Sequence, residues 1–147
     1  MKILVDADAC PVKEAVVSIA KKYNIPVLMF CDTSHILKEG YAKVITVDNA
    51  SDSVDIALAN SLERGDIAVT QDYGVAALAL GKGAVCINQN GLVYTNENID
   101  MLLFERHIGK KIRRSGRYHG GAKKRTGEND ENFAAEFEKL IKNANIC

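Results

Sequence analysis

Short apolar runs alternate with amphipathic stretches along most of the chain, as strands alternate with helices. Runs of three to five apolar residues bounded by polar or glycine residues predict five buried strands, and apolar residues at helical spacing predict the helices between and after them. The predicted strands are Ile3–Val5, Val27–Cys31, Val44–Val47, Ile67–Thr70 and Ala84–Ile87, with Leu92–Thr95 as a small extra strand. The predicted helices are Pro11–Tyr23, a stretch capped by Ser51 and ended by Gly65, Val75–Leu80, Asn96 to Arg106 or Arg114, and about 130–144.

This alternation, with its short connections, favours an α/β fold in three layers. A mostly parallel five-stranded sheet is expected at the centre, with helices packed on both of its faces. A chain of 147 residues is long enough for one ordinary domain with a sizeable core, and it contains no internal repeat. We therefore expect residues 1–147 to form a single domain.

The zero net charge hides a segregation of charge along the chain. Residues 1–105 hold 8 basic and 14 acidic side chains, whereas residues 106–125 hold 9 basic side chains and no acid. We call residues 106–125 the basic segment. An acidic body with one basic segment is typical of proteins that bind a polyanion. The alternative is that these cations only solvate a helix end and a loop, although an ordinary mixed surface would also contain acids.

Cysteine spacing and hydropathy exclude several classes of protein. The four cysteines lie far apart without a C-x-x-C pair, so the zinc-ribbon and thioredoxin patterns are absent from the sequence. Cys31 and Cys86 lie in apolar runs and are expected to be buried, reduced thiols. The apolar runs are too short to span a membrane, and no signal segment precedes the first predicted strand. We expect a cytoplasmic protein without a membrane partner.

Carboxylates follow the predicted strands at their carboxyl ends. Asp6 and Asp8 come directly after the first strand, and Asp72 follows the fourth strand. Asp52 and Asp55 are three residues apart and share one face of a predicted helix. Open α/β sheets bind their ligands at the carboxyl ends of the strands, so these acids point to a site there.

Such a cluster of acids has two interpretations. Oxygen ligands without a histidine at metal spacing suit Mg²⁺ or Mn²⁺ better than Zn²⁺. Alternatively, Asp8 or Cys10 lies near the N-cap of the following helix, and Asp6 only accepts backbone hydrogen bonds. The first segment alone leaves these two interpretations balanced. The sequence has no P-loop, no dinucleotide-binding loop and no G-x-S-x-G motif.

Several motifs resemble a known family. Asp6-x-Asp8 after a strand, Asp55-Ile-Ala-Leu-Ala in a helix, and Ala68-Val-Thr-Gln-Asp72 before an apolar helix resemble the PIN-like nuclease fold. A closer resemblance is to the YaiI/YqxD family of bacterial proteins, and it covers nearly the whole chain. The motifs that carry it are Val5-Asp-Ala-Asp-Ala-Cys-Pro-Val-Lys13, Ser51-Asp52-x-x-Asp55, Thr70-Gln71-Asp72-Tyr73 and Lys110-Lys-Ile-Arg-Arg-Ser-Gly116.

The resemblance implies a sheet of strand order 3-2-1-4-5 and, by analogy only, metal-dependent hydrolysis of phosphodiesters, most plausibly in single-stranded RNA. Asp6, Asp55 and Asp72 form the expected set of Mg²⁺ or Mn²⁺ ligands. Asp6 and Asp72 would bind the metal directly, whereas Asp8, Asp52 and Asp55 would complete its shell or hold waters, which makes these five aspartates the candidate catalytic residues. Cations of the basic segment would hold the phosphate backbone: Lys110, Lys111, Arg113, Arg114 and Arg117. Thr70 and Ser51 would orient waters or a phosphate.

Two other functions remain open at the level of sequence. One is a non-catalytic nucleic-acid-binding or adaptor domain that keeps the fold and the charge. The other is a small-molecule phosphatase that uses the same metal pocket. Several clustered acids favour an ion site, and the basic segment favours a polymer over a small ester.

Overall fold

The computed structural model describes residues 1–8, 10–33, 37, 39–48, 53–114 and 125–145, except for the side chains of Arg113, Arg114 and Asn145. Within these residues the chain forms five strands and five helices. The strands are β1 (Ile3–Asp6), β2 (Val27–Asp32), β3 (Lys43–Val47), β4 (Ile67–Val69) and β5 (Val85–Ile87). The helices are α1 (Lys13–Lys22), α2 (Ser53–Ser61), α3 (Tyr73–Gly81), α4 (Asn96–Arg114) and α5 (Gly127–Asn145).

The five strands form one parallel sheet in the order β3-β2-β1-β4-β5. Strand β1 lies in the middle, where Ile3 is level with Val27 of β2 and with Ile67 of β4. Ile3, Leu4 and Val5 are fully buried, as a central parallel strand requires. The predicted α/β class and strand order are therefore confirmed.

Helices cover both faces of the sheet, because successive side chains of a strand point to opposite faces. Ile3 and Val5 pack in a core with side chains of α1 and α5, including Phe133 and Phe137. Leu4 packs in a second core with side chains of α2, α3 and α4. The molecule therefore has an α1/α5 layer on one face of the sheet and an α2/α3/α4 layer on the other.

The last helix is integral to its layer. The rings of Phe133 and Phe137 stack with their centroids 5.2 Å apart, and Ile141 is fully buried beside them. On the surface, Glu138 of α5 accepts hydrogen bonds from the Lys22 ammonium at 2.8 Å and from the Tyr23 hydroxyl at 2.7 Å. These contacts dock α5 against α1.

Four of the five helices begin or end at residues other than those predicted. Helix α1 begins at Lys13 and not at Pro11, because Val12 has φ −112° and ψ 18°, outside the helical region. Helix α2 ends at Ser61 and not at Gly65, which instead adopts φ +88° in the turn before β4. The predicted Ser51 cap lies outside the described residues.

Helix α5 begins before the predicted residue 130 because of a capping interaction. Asn129 accepts a hydrogen bond from the Thr126 backbone N–H at 2.9 Å through its side-chain oxygen, as the third helical residue does in a capping box. The Asn129 backbone N–H in turn donates to the Thr126 carbonyl at 3.1 Å. Helix α4 takes the longer of its two predicted lengths.

The segment after β5 forms a turn and contributes little to the sheet. The predicted strand Leu92–Thr95 is reduced, within the described residues, to one antiparallel bridge between Ile87 and Val93. Gly91 adopts φ +91°, and a Cβ atom there would lie 2.8 Å from the Asn132 carbonyl oxygen of α5. Glycine is needed here both for the left-handed backbone and for the close approach of α5.

A buried carboxylate lies at the amino end of the sheet. Asp66 precedes β4 and is 3% exposed. Its carboxylate accepts hydrogen bonds from the Lys2 ammonium at 2.6 Å, the Lys2 backbone N–H at 3.1 Å and the Glu63 backbone N–H at 2.8 Å. Burial raises the pKa of Asp66, but these hydrogen bonds outweigh burial and lower the pKa below its ordinary value.

Candidate functional site

The chain reverses its winding direction between β1 and β4. Helix α1 follows β1 onto one face of the sheet, and α3 follows β4 onto the other face. Adjacent strands with crossovers to opposite faces leave a crevice at their carboxyl ends, which is the usual ligand site of open α/β sheets. Asp6 ends β1 and Asp72 follows β4, so both acids lie at this crevice.

A cavity of about 580 Å³ occupies the crevice. Its walls come from the segments after β1, β4 and β5 and from one side of α4. We call it the acidic cavity, and its lining residues include Asp6, Asp8, Cys10, Thr70, Asp72, Gln89, Glu105 and Arg106. The structure thus brings together three of the five predicted catalytic aspartates.

Thr70 connects the two acidic segments. Its buried hydroxyl donates to Asp6 Oδ2 at 3.2 Å and accepts a hydrogen bond from the Asp72 backbone N–H at 3.0 Å. The Thr70 carbonyl accepts a hydrogen bond from the Tyr94 hydroxyl at 3.3 Å. The hydroxyl therefore fixes the orientation of the Asp6 carboxylate relative to the backbone of Asp72.

Asp72 also has a structural role. It is the N-cap of α3, and its Oδ1 accepts a hydrogen bond from the Val75 backbone N–H at 3.0 Å. This cap explains why α3 begins at Tyr73, two residues before the predicted start. A carboxylate is favoured here by the unpaired N–H groups and by the dipole of the helix.

The structure places Cys10 near the N-cap of α1, as the capping alternative for the first segment expected. The N-cap itself is Val12, which makes no side-chain capping hydrogen bond. Asp6 does accept a hydrogen bond from the Asp8 backbone N–H, as that alternative proposed, but it also accepts one from Thr70. Lys13 of α1 donates through its ammonium to the Ala7 carbonyl at 3.2 Å and so holds the loop between the two acids.

The electrostatics of the acidic cavity oppose a negative charge on Asp6. Burial raises its pKa to about 6; the Thr70 hydrogen bond lowers the pKa, and the charges of Asp8 and Asp72 raise it. At neutral pH the carboxylate is therefore ionised in unfavourable surroundings. A cation in the acidic cavity would offset this repulsion.

The other two predicted acids are Asp52 and Asp55. Asp55 lies in the first turn of α2, and the lining found within the described residues does not include it. Asp52 and the predicted phosphate-orienting Ser51 lie outside the described residues. The proposed contribution of α2 to a metal shell stays a prediction.

The predicted cations lie on and beyond α4. Lys110 and Lys111 are exposed near its carboxyl end, and Arg113 and Arg114 follow in the same helix. Arg117 lies outside the described residues. Arg106, which opens the basic segment and was not predicted as a site residue, lines the acidic cavity.

Arg125, the last residue of the basic segment, is held by hydrogen bonds to other residues of the protein. Its guanidinium donates to Asp130 Oδ1 at 2.7 and 2.8 Å, to Asn90 Oδ1 at 2.6 Å and to the Gln89 carbonyl at 2.6 Å. Gln89 is a wall residue of the acidic cavity. Arg125 therefore has a structural role beside the cavity and is poorly placed to hold a phosphate.

Sequence analysis missed two kinds of site residue. Gln89 lies just beyond β5, so the rule that ligand groups follow strands would have identified it. Its Oε1 atom is buried and accepts no hydrogen bond from the described residues. Glu105 and Arg106 carry no such signal, because only the packing of α4 against α3 brings them to the acidic cavity.

The donor set suits a hard cation, although a complete cage is not formed. Carboxylate, hydroxyl and amide oxygens line the acidic cavity, and these are the ligands that Mg²⁺ and Mn²⁺ prefer. Across the described part of the chain, no three His, Cys, Asp or Glu side chains are arranged to hold a metal ion. Mg²⁺ is commonly bound by one or two carboxylates, with water and substrate phosphates completing its shell, and these residues fit that mode of binding.

The described residues also establish the state of two cysteines. Cys31 and Cys86 are buried free thiols, as predicted, and burial raises the pKa of Cys86 to about 12. None of the described helices combines the length and hydrophobicity that crossing a membrane requires.

The chain was compared with known proteins. The sequence model of a family described as "Uncharacterized BCR, YaiI/YqxD family" matches residues 4–143. A UPF0178 protein of Ruminiclostridium cellulolyticum is 63% identical over 142 residues, which cover 97% of this chain and 93% of that protein. The UPF0178 protein CA_C2825 of Clostridium acetobutylicum is 54% identical, with coverage of 96% and 97%. No solved structure matches significantly. The match along nearly the whole chain, together with these relatives, shows that the protein belongs to the YaiI/YqxD family.

Proposed function

We propose that this protein is a divalent-metal-dependent nuclease that hydrolyses phosphodiester bonds of single-stranded RNA. Asp6, Asp8 and Asp72 converge in the acidic cavity, and this observation carries the proposal. One wall of the cavity is α4, the helix that contains the first residues of the basic segment. An anionic substrate would enter this cavity only if a cation neutralised the carboxylates.

Asp6 and Asp72 are the proposed direct ligands of Mg²⁺ or Mn²⁺. When bound, such an ion polarises the phosphodiester and lowers the pKa of a bound water. Thr70 holds Asp6 in place through its hydroxyl, and the cap of α3 holds Asp72. These fixed carboxylates need little rearrangement to accept a cation, because neither side chain has to be ordered on binding.

The cations of α4 would bind the substrate. Arg106 lies at the wall of the acidic cavity, while Lys110 and Lys111 continue along the exposed helix. A phosphate backbone can follow such a row of cations without any reading of the bases. In this proposal the reacting phosphate would lie in the acidic cavity, and the neighbouring phosphates would lie along the cations of α4. We place this activity in the cytoplasm.

The test is cleavage of labelled single-stranded RNA, with single-stranded DNA in parallel, in the presence of Mn²⁺. Asp6→Asn is expected to lose about a thousandfold or more in rate, because a neutral amide holds the ion poorly. Its RNA binding should be as strong or stronger, since it removes a negative charge. Asp48→Asn is the matched control: Asp48 is an exposed aspartate that also follows a strand, and the same substitution there should leave the rate unchanged.

Equal residual cleavage by wild type and Asp6→Asn would contradict the proposal and indicate a contaminating nuclease. One observation would then favour a non-catalytic nucleic-acid-binding domain: the N-cap role of Asp72 accounts for this acid without any metal. In that case RNA binding with strong salt dependence should persist without turnover.

A further inference from the structure

The outer surfaces of the two helix layers differ in character. In the α1/α5 layer, the large apolar side chains of the described helices are buried or half-buried. In the α2/α3/α4 layer, seven large apolar residues are exposed, and five of them lie on α4. Contiguous exposed apolar surface on a water-soluble fold commonly marks an interface.

Three of these residues form a stripe along α4. Met101, Phe104 and Ile108 are 61%, 64% and 37% exposed, and they are spaced by three and four residues. At about 100° per residue they fall within about 60° around the helix axis. We call Met101, Phe104 and Ile108 the α4 stripe.

The α4 stripe is separate from the acidic cavity. The α4 residues that line the cavity are Leu102, Glu105, Arg106 and Gly109, and they occupy an adjacent face of the helix. The spacing places the centre of this face about a quarter turn or more from the centre of the stripe. A partner could therefore cover the stripe while the cavity stays open.

Charge is divided between the two ends of α4. Glu97 and Asp100 lie in its first half, whereas Lys110 and Lys111 lie near its end. Two copies of α4 packed antiparallel would set the acidic half of each against the basic half of the other. Parallel packing would instead place like charges together, so the charge pattern selects the antiparallel arrangement.

Asp100 and Lys111 fit this arrangement in detail. They are eleven residues apart and lie about 20° apart around the helix, on the same flank of the α4 stripe. In an antiparallel helix pair, residues on the same flank of the two helices face each other. With a two-fold axis near Phe104, Met101 of one copy meets Ile108 of the other. Measured along the helix axis, Asp100 of one copy is then within about 3 Å of Lys111 of the other copy.

From these observations we infer that the α4 stripe is the interface of a symmetric homodimer formed by antiparallel pairing of α4. The same patch on both copies contacts itself, as a two-fold axis requires. The acidic cavities of the two copies would open toward the same side of the helix pair, one beyond each helix. This inference stands on the exposure and charge of α4 and does not depend on the proposed nuclease activity.

The first experiment is sedimentation analysis of the full chain over a wide concentration range. Wild type is expected to dimerise, and Phe104→Asp is expected to raise the dissociation constant by at least about thirtyfold, as loss of a central anchor does. Ile56→Asp is the matched control: Ile56 is 57% exposed in the same layer but lies on α2, which packs mainly against α3 and strands β1, β2 and β3. Its dimer should be unchanged. Monomeric wild type, or equal loss with both variants, would overturn the inference.

A charge exchange tests the antiparallel geometry without touching the apolar core of the interface. Asp100→Lys and Lys111→Glu should each weaken the dimer by about tenfold. Each substitution places like charges at both Asp100–Lys111 pairs, since the two-fold axis repeats the pair. The double variant should return the dissociation constant to nearly the wild-type value. A double variant as weak as the singles would overturn the pairing. Monomeric wild type that binds anionic vesicles through Phe104 would overturn it in favour of a membrane surface.

Discussion

Asp66 lies at the amino end of β4, and Asp6 lies at the carboxyl end of its neighbour β1. Both carboxylates are largely removed from water, yet their pKa values move in opposite directions. Asp66 accepts hydrogen bonds from an ammonium and two backbone N–H groups, and its pKa is lowered. Asp6 lies beside two further carboxylates, and its pKa is raised to about 6.

The difference distinguishes a structural acid from a candidate functional acid. Around Asp66 the fold supplies the positive charge and the donors that a buried carboxylate requires. Around Asp6 the fold supplies one hydroxyl and one backbone N–H, and it adds negative charge. A titratable group held in a cleft in unfavourable surroundings is a candidate for function, because folding alone gives no reason for it.

The largest expected effect on stability concerns Asp66. Asp66→Ala should lower the free energy of unfolding by about 3 kcal/mol, because it strands the Lys2 ammonium and two backbone donors. Glu63→Ala is the control, since Glu63 also approaches Lys2 at 3.7 Å but its side chain is 81% exposed. It should change stability by less than about 0.5 kcal/mol. Urea denaturation measures both; equal effects would show that the Asp66 network is not stabilising.

The next effect is the response of the acidic cavity to a divalent ion. If Asp72 is a ligand, Mn²⁺ at a hundredfold excess over its Kd should stabilise wild type by about 2.7 kcal/mol. Asp72→Asn should lose this gain while keeping the cap of α3, because asparagine is an equally good N-cap. Thermal melts with and without Mn²⁺ give the comparison, with Asp48→Asn as control. A shift of the same size in Asp72→Asn would exclude the proposed ligand.

The smallest effect is the penalty of ionising Asp6 in the absence of metal. Its folded pKa of about 6 exceeds the ordinary aspartate value of 3.8, so wild type loses stability as the pH rises from about 4 to 6, and the loss is complete above that range. Allowing for partial exposure, Asp6→Asn should be about 1–2 kcal/mol more stable than wild type at pH 8.

Near pH 4 the difference in the free energy of unfolding should be much smaller, because Asp6 is then protonated in the folded state and, close to its ordinary pKa of 3.8, about half protonated in the unfolded state. Urea denaturation at both pH values, without divalent ions, makes the comparison. If the two proteins differ in free energy of unfolding by the same amount at both pH values, ionisation of Asp6 does not destabilise the folded protein.

The sequence predicted the sheet well because its signals are local. The apolar run Ile3–Val5 predicted a strand that is buried on both faces. The acids that end this run predicted a ligand site at the carboxyl end of the strand, where parallel sheets bind ligands. The strand order came from the resemblance to a family, since no local signal states which strands are neighbours. Once β1 and β4 are neighbours, the meeting of Asp6 and Asp72 follows.

The rest of the candidate site depends on tertiary packing. Arg106 and Glu105 reach the acidic cavity only because α4 packs beside α3, and helical periodicity alone does not set that position. Arg125 belonged to the basic segment by composition, but its contacts with Asp130 and Asn90 make it structural. A count of charges could not separate this arginine from the cations that remain exposed on α4.

The docking of α5 has a consequence for how the protein is made. Phe133, Phe137 and Ile141 complete the core that also contains Val5 of the central strand. On a translating ribosome, that face of β1 would stay without its α5 cover until more than 130 further residues had been added. Because such distant contacts form slowly, we expect the core to close only after α5 has left the exit tunnel. Until then the apolar face of the sheet would be a natural binding surface for chaperones.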